Sequence, residues 1–280
     1  MEKFCDLHTH SHYSDGTCSP AELMHMAEAL DLGAVALCDH NTVAGLPEFV
    51  AAGETSCVEA VPGIEFSTDY GDTELHIIML FVKARDHATI TQLVAQARKR
   101  KEESTIWLVK ALQDAGLDIC YEALQAQAPD GYINRAHIGA ELTKKGYTTS
   151  IKEAFKEYLA PEKGFFVPPK RLDAFETIGI IKELGGTAVL AHPFLNLTGE
   201  QLTEFLPRAA ACGLDAMETL YSKFDPDTTR QAKELAERFG LLQSGGSDFH
   251  GENKPDIAMG TGRGDLQIPG AFLEALRPQK

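Results

Sequence analysis

Short apolar runs alternate with amphipathic segments along most of the 280-residue chain. The run 34–38, AVALC, is typical of a strand buried on both faces of a parallel sheet. It follows a predicted helix, which Ser19 caps and Pro20 opens, and which Gly33 stops. Strands are predicted at 4–7, 34–38, 58–66, 75–81, 187–191, 216–220 and 241–244. Helices are predicted at 20–30, 43–52, where Thr42 is the expected cap, and at 89–115, 174–184, 201–211, 228–239 and 271–276.

The alternation predicts parallel βα units, whose ligand sites lie at the carboxyl ends of the strands. It stops between about 117 and 169, where short helices are predicted at 121–127, 135–145 and 151–158. We interpret 117–169 as a small helical subdomain inserted into an α/β barrel that residues 1–116 and 170–280 form. Its position between barrel strands favours a lid over the ligand site.

Composition narrows the function classes. The formal charge of −15 disfavours a general nucleic-acid-binding surface, although local cations in a cleft can still bind a small phosphorylated substrate. Six cysteines are scattered without a CxxC pair, which indicates free thiols in a reducing cytoplasm. The N-terminus has no signal-peptide pattern, and no apolar run approaches membrane-spanning length. We therefore expect a cytoplasmic protein without a membrane partner.

Residue types that bind metals recur at or near the ends of the predicted strands. His8 and His10 stand two residues apart, so both point to one face of an extended backbone, and the next loop returns with Asp15. His76 lies early in its strand and can face the same site if that strand runs antiparallel. Buried polar groups are unusual, and each needs a hydrogen-bond partner. Ordinary buried histidines with separate partners therefore explain all of these residues together poorly. The nine candidate metal ligands are His8, His10, Asp15, His40, Glu65, His76, His192, Asp248 and His250.

These candidates resemble, in order and over nearly the whole chain, the motif series of the PHP (polymerase and histidinol phosphatase) phosphoesterase family. The matching positions are Asp6-x-His8-x-His10, Asp15, Asp39-His40, Glu65, His76, His192-Pro193 and Asp248-x-His250. The resemblance implies a distorted (β/α)7 barrel whose site holds two or three divalent ions, commonly manganese, iron or zinc. It also implies that a metal-activated water attacks phosphorus in line, and it identifies no general acid.

The resemblance further implies how the ligands are shared. Asp6 and Asp39 are expected to support the site without binding metal, and His12 is interpreted as an exposed loop residue. The implied sets are His8, His10, Glu65 and Asp248 for one ion, Asp15, His40 and His250 for a second, and Glu65, His76 and His192 for a third.

The insertion carries a resemblance to the family branch that acts on 3′,5′-nucleoside bisphosphates and short RNA 5′ ends. It lies in the Arg-x-His phrase of Arg135 and His137, at the start of a predicted helix. Arg135 offers a planar fork to a phosphate beside a positive helix N-terminus, and the alternative is a capping or ion-pair role. Lys163, within 162–167, matches a family phrase in which a lysine enters the cleft. Tyr221 follows a strand at the correct end for substrate contact, and packing is its alternative role.

Together these features predict a metal-dependent phosphoesterase that acts on a small phosphorylated metabolite. The favoured reaction removes the 3′-phosphate from a 3′,5′-nucleoside bisphosphate, and short RNA 5′ ends are further candidate substrates. The alternatives are a cyclic phosphodiesterase acting on a ribose cyclic phosphate, and a histidinol-phosphate phosphatase. A non-catalytic metal- or nucleotide-sensing module and a polymerase proofreading exonuclease are alternatives of other classes. We expect no binding of long nucleic acid, and the sequence predicts no oligomeric state.

Overall fold

Nine strands form one sheet in the computed structural model, which describes residues 3–127 and 133–278. The longer strands lie where the apolar runs predict them, and the third continues beyond residue 66. The two-residue strands were not predicted, because so short a segment carries no periodic pattern. The strands are β1 (Phe4–Thr9), β2 (Ala34–Leu37), β3 (Glu59–Tyr70), β4 (Thr73–Leu80), β5 (Leu172–Asp173), β6 (Thr187–Leu190), β7 (Ala216–Tyr221), β8 (Leu242–Gly246) and β9 (Ile268–Pro269).

The strand order is β8-β7-β6-β4-β3-β2-β1-β9, with β5 paired to β3. The pairs β1–β2, β2–β3, β6–β7 and β7–β8 are parallel, whereas β4 runs antiparallel to both of its neighbours. Beyond the end of β8, the Asp248 N–H donates to the His8 carbonyl at 2.8 Å and the His10 N–H donates to the Phe249 carbonyl at 2.9 Å. These bonds nearly close the sheet on itself, so the predicted barrel-type α/β fold is confirmed.

Helices follow most strands, as the alternation predicts. Ser19 caps the first helix and forms the predicted capping box with Glu22. The prediction that Thr42 caps the second helix was wrong, because that helix begins at Leu46 after Gly45, with Pro47 in its first turn. No helix in residues 3–127 and 133–278 is long and apolar enough to cross a membrane. The helices are α1 (Pro20–Ala29), α2 (Leu46–Gly53), α3 (His87–Asp114), α4 (Tyr121–Gln125), α5 (Arg135–Lys144), α6 (Ile151–Ala154), α7 (Ala174–Glu183), α8 (Gly199–Ala211), α9 (Pro226–Arg238) and α10 (Gly270–Leu276).

Side chains alternate between two hydrophobic clusters along the strands. In β2, Val35 and Leu37 pack into a cluster shared with α1, α2, α7 and α8, whereas Ala34 and Ala36 pack into the other. That second cluster combines inward-facing residues of seven strands with Leu273 of α10. The period of two therefore separates an outer layer under the helices from an inner barrel core.

A third hydrophobic cluster lies outside the barrel. It runs from the last turns of α3, at Leu108 and Leu112, through α5 to Phe166. The 28-residue helix α3 joins it to the barrel, since Ile90 packs in the outer layer of the barrel. Helices α4, α5 and α6 begin at the predicted residues, and the chain continues beyond α6 as a π-helical turn at Phe155–Leu159.

Candidate metal centre

The nine candidate ligands lie together where the parallel strands end. Ligand atoms approach within 4.8 Å in three overlapping groups: His10, Asp15, His40 and His250; His8, His10 and Glu65; and His40, Glu65 and His76. The remaining two residues join through short contacts. His192 Nε2 lies 3.0 Å from Glu65 Oε1, and Asp248 Oδ1 lies 3.4 Å from His10 Nε2. The structure therefore brings all nine residues into one cluster.

The loop after β1 returns Asp15 to the cluster because a buried carboxylate holds its backbone. Asp39 accepts hydrogen bonds from the N–H and the hydroxyl of Ser11 at 2.8 and 2.6 Å. Gly16 permits the tight return, since a Cβ there would lie 2.3 Å from a backbone carbonyl oxygen. As a result, Asp15 Oδ1 lies 3.2 Å from His250 Nε2.

Glu65, which is fully buried on β3, lies at the centre of the cluster. Burial by itself would raise the pKa of this carboxyl, but the surrounding imidazoles hold the pKa well below its usual range. A buried carboxylate needs compensating positive charge, and imidazoles this close to one another cannot all be protonated. The imidazoles within 3.3 Å of the Glu65 carboxylate belong to His8, His10, His40, His76 and His192.

His76 faces the cluster because β4 runs antiparallel to β3 and so begins where the parallel strands end. It pairs with Ser67 in the β3–β4 register, and its Nδ1 lies 2.8 Å from Glu65 Oε1. Its other ring nitrogen lies 3.3 Å from Glu74 Oε1, and Arg171 holds Glu74 through a 2.6 Å bond. The antiparallel placement that the sequence left open is thus the observed one.

Backbone strain concentrates at the same place. Asn41, His192 and Asp248 have φ values of 51°, 30° and 58°, in the left-handed region that non-glycine residues seldom adopt. Each such residue costs of the order of 1–3 kcal/mol and persists only where its surroundings fix it. Here the Asn41 N–H donates to the Glu65 carbonyl at 2.9 Å, and the Asp248 N–H is bound by the end of β1.

Asp248 uses its two oxygens differently. Its Oδ2 accepts hydrogen bonds from Lys254 Nζ and the Tyr221 hydroxyl, both at 2.7 Å. Its Oδ1 faces His10. Burial opposes ionisation of Asp248, but the Lys254 charge and nearby imidazoles hold its pKa well below the usual range. Burial and the adjacent carboxylate raise the pKa of Tyr221, which therefore stays a neutral hydrogen-bond donor.

The donor set fits divalent metal ions. Eight buried side-chain polar atoms of the described residues have no hydrogen-bond partner, and six of them belong to the candidate ligands. A buried unpaired polar atom costs about 1–3 kcal/mol, so such a concentration in one cluster requires an explanation. Imidazole nitrogen and carboxylate oxygen without thiolate suit manganese, iron and zinc. The six atoms are His8 Nε2, His10 Nδ1, His10 Nε2, His40 Nδ1, Glu65 Oε2 and His250 Nε2.

A cavity of about 280 Å³ opens beside the cluster. Asp15, His40, His76, His192 and Asp248 line one part of it, and Asn134, Arg135, Phe155 and Phe166 line another part. The cavity is rich in cations although the chain carries a formal charge of −15. Its cationic lining residues are Lys101, Arg135, Arg171, Lys223 and Lys254.

Arg135 lines this cavity from the first turn of α5. Its guanidinium stacks over the Phe166 ring, 4.2 Å from the centroid, and Nη1 donates to the Leu159 carbonyl at 3.3 Å. Burial lowers the pKa of Arg135 from its ordinary value, but an arginine remains charged in proteins. The side chain is therefore held in place while it presents positive charge to the cavity.

The other two predicted substrate-binding residues do not line the cavity. His137 takes part in a capping box, because its Nδ1 accepts the Asn134 N–H at 3.2 Å. Lys163 lies in an exposed 3₁₀ turn, 3.8 Å from Glu157 Oε2. For His137, the observed contact corresponds to the capping alternative that the sequence analysis raised for this phrase.

Sequence reasoning missed several partners of the ligands. Glu218, fully buried on β7, contacts His8 and His192. Its signal was a single charged residue inside the apolar run 216–220. Lys254 and Arg171 follow glycine- or proline-rich segments, where no periodic pattern indicates which way a side chain faces.

Comparison with known proteins adds a family and named relatives. A family model described as the PHP domain matches residues 6–167. The chain is 35% identical over 251 residues to a 5′-3′ exoribonuclease of Haemophilus influenzae, covering 89% of this chain and 91% of that protein. It is 30% identical over 256 residues to the 3′,5′-nucleoside bisphosphate phosphatase of Chromobacterium violaceum, covering 90% of each.

A solved structure shares the fold over nearly its whole length. It is a protein of Bifidobacterium adolescentis assigned as a metal-dependent phosphoesterase, with a TM-score of 0.86 and 27% sequence identity. The match covers 97% of this chain and 94% of that one. The fold is therefore similar over nearly the full length of both proteins.

Proposed function

This chain is a metal-dependent phosphoesterase of the PHP domain family, and on that premise we propose that it removes the 3′-phosphate from a 3′,5′-nucleoside bisphosphate. The observation that carries the proposal is Arg135, a fixed cation from the insertion that faces the same cavity as the metal-type cluster. A substrate with two phosphates can place one at the cluster and the other at Arg135.

We assign the metal ligands as the family resemblance implies. Contacts at the cluster support these sets, since Glu65 lies against all four imidazoles of the first and third sets, and His40 and His250 of the second set approach Asp15. Bound divalent ions would neutralise phosphoryl oxygens and lower the pKa of a water toward neutrality. The proposed sets are His8, His10, Glu65 and Asp248; Asp15, His40 and His250; and Glu65, His76 and His192, for two or three ions of manganese, iron or zinc.

The protein's own residues would bind and orient the substrate. Arg135 stands at the first position of α5, where the helix dipole adds positive potential. The planar, charged guanidinium of Arg135 binds a terminal phosphate better than it binds a neutral ligand group. The stacked Phe166 ring restrains the side chain, so little conformational entropy is lost when the phosphate binds.

We assign 117–169 the role of a lid on the barrel formed by 1–116 and 170–280. The third hydrophobic cluster, which the last turns of α3 share, supports a lid at this position, as does the lining of the cavity by Asn134, Arg135, Phe155 and Phe166. A lid of this kind would exclude water from the reacting phosphate and select the substrate by its second phosphate.

A second candidate function is trimming of short RNA from the 5′ end. The observation that favours it is the 35% identity to an exoribonuclease over 89% of this chain. The two functions separate in a substrate panel of a nucleoside 3′,5′-bisphosphate, a 5′-phosphorylated oligoribonucleotide, a ribose cyclic phosphate and histidinol phosphate. The highest kcat/KM on the bisphosphate is expected, and the highest value on any other member would replace the proposed substrate.

The role of Arg135 is tested with Arg135→Ala on a bisphosphate and on 4-nitrophenyl phosphate. Loss of a charge-assisted hydrogen bond costs about 1.5–3 kcal/mol, which is roughly 10- to 150-fold in kcat/KM. The loss should affect the bisphosphate and spare the monophosphate ester, because Arg135 would not touch the reacting phosphorus.

The matched control is Arg208→Ala. Arg208 also stacks on a phenylalanine ring, at 3.9 Å, but lies on α8 away from the cavity. It should leave both activities unchanged. Equal losses on both substrates in Arg135→Ala would assign Arg135 to the reaction centre or the fold, and no loss would make it a structural residue.

A further inference from the structure

Glu218 is a buried carboxylate outside the proposed ligand sets that contacts two of their members. Its Oε1 lies 2.9 Å from His8 Nδ1, and its Oε2 accepts the His192 N–H at 2.6 Å. The residue has no measurable exposure. These contacts connect β7 to His8, near the end of β1, and to His192, which lies just beyond the end of β6.

From this geometry we propose that Glu218 is a positioning residue, which fixes the ring tautomer of His8 and the backbone of His192 for metal binding. The proposal rests on the metal centre assigned above and is independent of the substrate. It gives a specific task to a group that neither faces the cavity nor belongs to the nine candidate ligands.

The His8 part of the proposal follows from proton counting. A neutral imidazole carries one N–H, and an ionised carboxylate can only accept a hydrogen bond. With Glu218 at Nδ1, the proton belongs on Nδ1 and the Nε2 lone pair is free. His8 Nε2 is one of the six unpaired buried atoms and lies 3.2 Å from Glu65 Oε2. Glu218 thus directs the free lone pair of His8 into the cluster.

The His192 part follows from its backbone. His192 has φ 30° and ψ 54°, a left-handed conformation that places its Nε2 3.0 Å from Glu65 Oε1. Such a conformation persists only where the surroundings over-determine it. The 2.6 Å bond from the His192 N–H to Glu218 is a charge-assisted bond at the strained residue itself. It fixes the peptide plane from which the strained residue and its side chain depart.

The position of Glu218 on β7 explains why it can reach both partners. Ala216 packs in the inner barrel core and Met217 in the outer layer, so Glu218 points inward, closer to the cluster than Ala216. The β7–β8 register shifts between Glu218 and Leu220. Such an irregularity bends a strand and re-aims its side chains.

The N–H donors of His8 and His192 require two acceptor oxygens on residue 218, and a single substitution can test this requirement. Glu218→Gln keeps the shape of the side chain but replaces one acceptor with an NH₂ donor. If the amide oxygen keeps the His192 N–H, the NH₂ group donates to His8 Nδ1 and moves the His8 proton to Nε2, which blocks the lone pair needed for metal. In the reverse orientation the NH₂ group faces the His192 N–H, donor against donor. A residue that only filled space would tolerate this change, whereas a positioning residue would not.

The experiment measures divalent-metal affinity by competition with a chromogenic chelator, using Mn²⁺ and Zn²⁺ separately. Glu218→Gln is expected to weaken binding about 10- to 100-fold, as loss of a partner that orients a metal ligand usually does. The matched control is Thr219→Val, which removes the neighbouring 2.9 Å hydrogen bond to Gln243 and touches no proposed ligand. It should bind metal as the wild-type protein does. Wild-type affinity in a folded Glu218→Gln protein would overturn the proposal.

A second measurement needs no variant, and so decides the matter even if Glu218→Gln fails to fold. In ¹⁵N-labelled wild-type protein loaded with Zn²⁺, long-range ¹H–¹⁵N spectra report which ring nitrogen of His8 carries the proton. The Nδ1–H tautomer is expected, and an Nε2–H tautomer would overturn the proposal. Wild-type protein that binds neither metal would instead overturn the metal centre proposed above, and Glu218 would lose its role with it.

Discussion

Buried carboxylates at the centre fall into two kinds, distinguished by their hydrogen bonds. Asp6 accepts N–H bonds from Ser247 at 2.9 Å and from Gly260 at 2.8 Å, and Asp39 is occupied by the first loop. Both therefore hold backbone in place, in agreement with the supporting role expected from the sequence. Glu65 differs, because its Oε2 is buried without a hydrogen-bond partner. The unpaired atom separates Glu65 from Asp6 and Asp39, whereas Asp248, also a candidate ligand, has a hydrogen-bonded Oδ2.

At the residue scale, Lys163→Ala should leave kcat/KM on a nucleoside bisphosphate unchanged. Lys163 is part of an exposed turn, lies 3.8 Å from Glu157 and does not line the cavity. Exposed ion pairs of this kind contribute about 0–1 kcal/mol, so stability should also change little. Steady-state kinetics on the bisphosphate tests this. A tenfold loss would restore the sequence-based assignment of Lys163 to substrate binding.

Strand β8 approaches strand β1 closely where the sheet nearly closes on itself. Gly246 ends β8 directly against β1, and a Cβ there would lie 2.1 Å from His8 Cβ and 2.7 Å from the His8 nitrogen. Backbone so close cannot yield as a flexible side chain would. The absence of a side chain at this position therefore allows β8 to approach β1 and places Asp248 beside His8 and His10.

At the element scale, Gly246→Ala should lower the free energy of unfolding by at least about 1–3 kcal/mol, the usual cost of overpacking. The matched control is Gly179→Ala on α7, where a Cβ meets nothing within 4 Å. That change should stabilise the protein by about 0.5–1 kcal/mol, because alanine is the better helix former. Urea unfolding measures both. Equal stability of the two variants would contradict the close approach of β8 to β1.

The N-terminus of α5 is a second local feature that bears on function. Asn134 caps it by accepting the N–H groups of Ala136 and His137 at 2.9 and 3.2 Å. Arg135 is the first residue inside this cap. The direction in which the proposed phosphate-binding residue points therefore depends on the cap.

Asn134→Ala should cost about 0.5–2 kcal/mol of stability and also lower kcat/KM on the bisphosphate. Ser19→Ala is the control, since Ser19 caps α1 in a capping box of the same type far from Arg135 along the chain. It should cost similar stability without affecting turnover. Thermal unfolding and kinetics are compared for both variants, and equal kinetic effects would remove the connection between the cap and Arg135.

For the molecule as a whole, charge is distributed unevenly. The chain carries −15 overall, yet five cationic side chains against three carboxylates line the cavity beside the cluster. Such local positive charge favours a small anionic ligand in the cleft, whereas the overall charge disfavours long nucleic acid on the surface. Several ligand-type atoms at the same cleft are buried without a hydrogen-bond partner. An ion bound to these atoms would therefore stabilise the folded state.

Divalent metal should therefore stabilise the whole fold. A ligand that binds only the folded state adds about 2.7 kcal/mol at a free concentration 100 times its Kd. Mn²⁺ or Zn²⁺ should raise the Tm of the wild-type protein, and EDTA should reverse the rise. His10→Ala should lose most of this shift, because both of its ring nitrogens are among the unpaired atoms.

The control for this prediction is His25→Ala, which changes an exposed histidine on α1. It should keep the full metal-dependent shift in Tm, measured by calorimetry. The metal centre would be contradicted if His10→Ala and the wild-type protein responded equally to both ions.

The sequence by itself determined the type of fold and the identity of the clustered residues. Continuous apolar runs such as 34–38 specify buried strands, and a capping residue such as Ser19 marks a helix start through local hydrogen bonds. Polar residues placed at the ends of such runs must meet at one edge of a parallel sheet. His8, His10 and His40 could thus be brought together from local pattern alone.

Only the tertiary structure decided the rest, because it depends on contacts between distant parts of the chain. The antiparallel direction of β4 turned His76 toward Glu65, and closure of β8 on β1 set the contacts of Asp248. Packing of residues 117–169 placed Arg135 in the lining of the cavity and left Lys163 outside it. Glu218 gained its partners from two other strand ends. Local periodicity gives the face on which a side chain lies, whereas its partner is set by how the sheet closes and where the insertion packs.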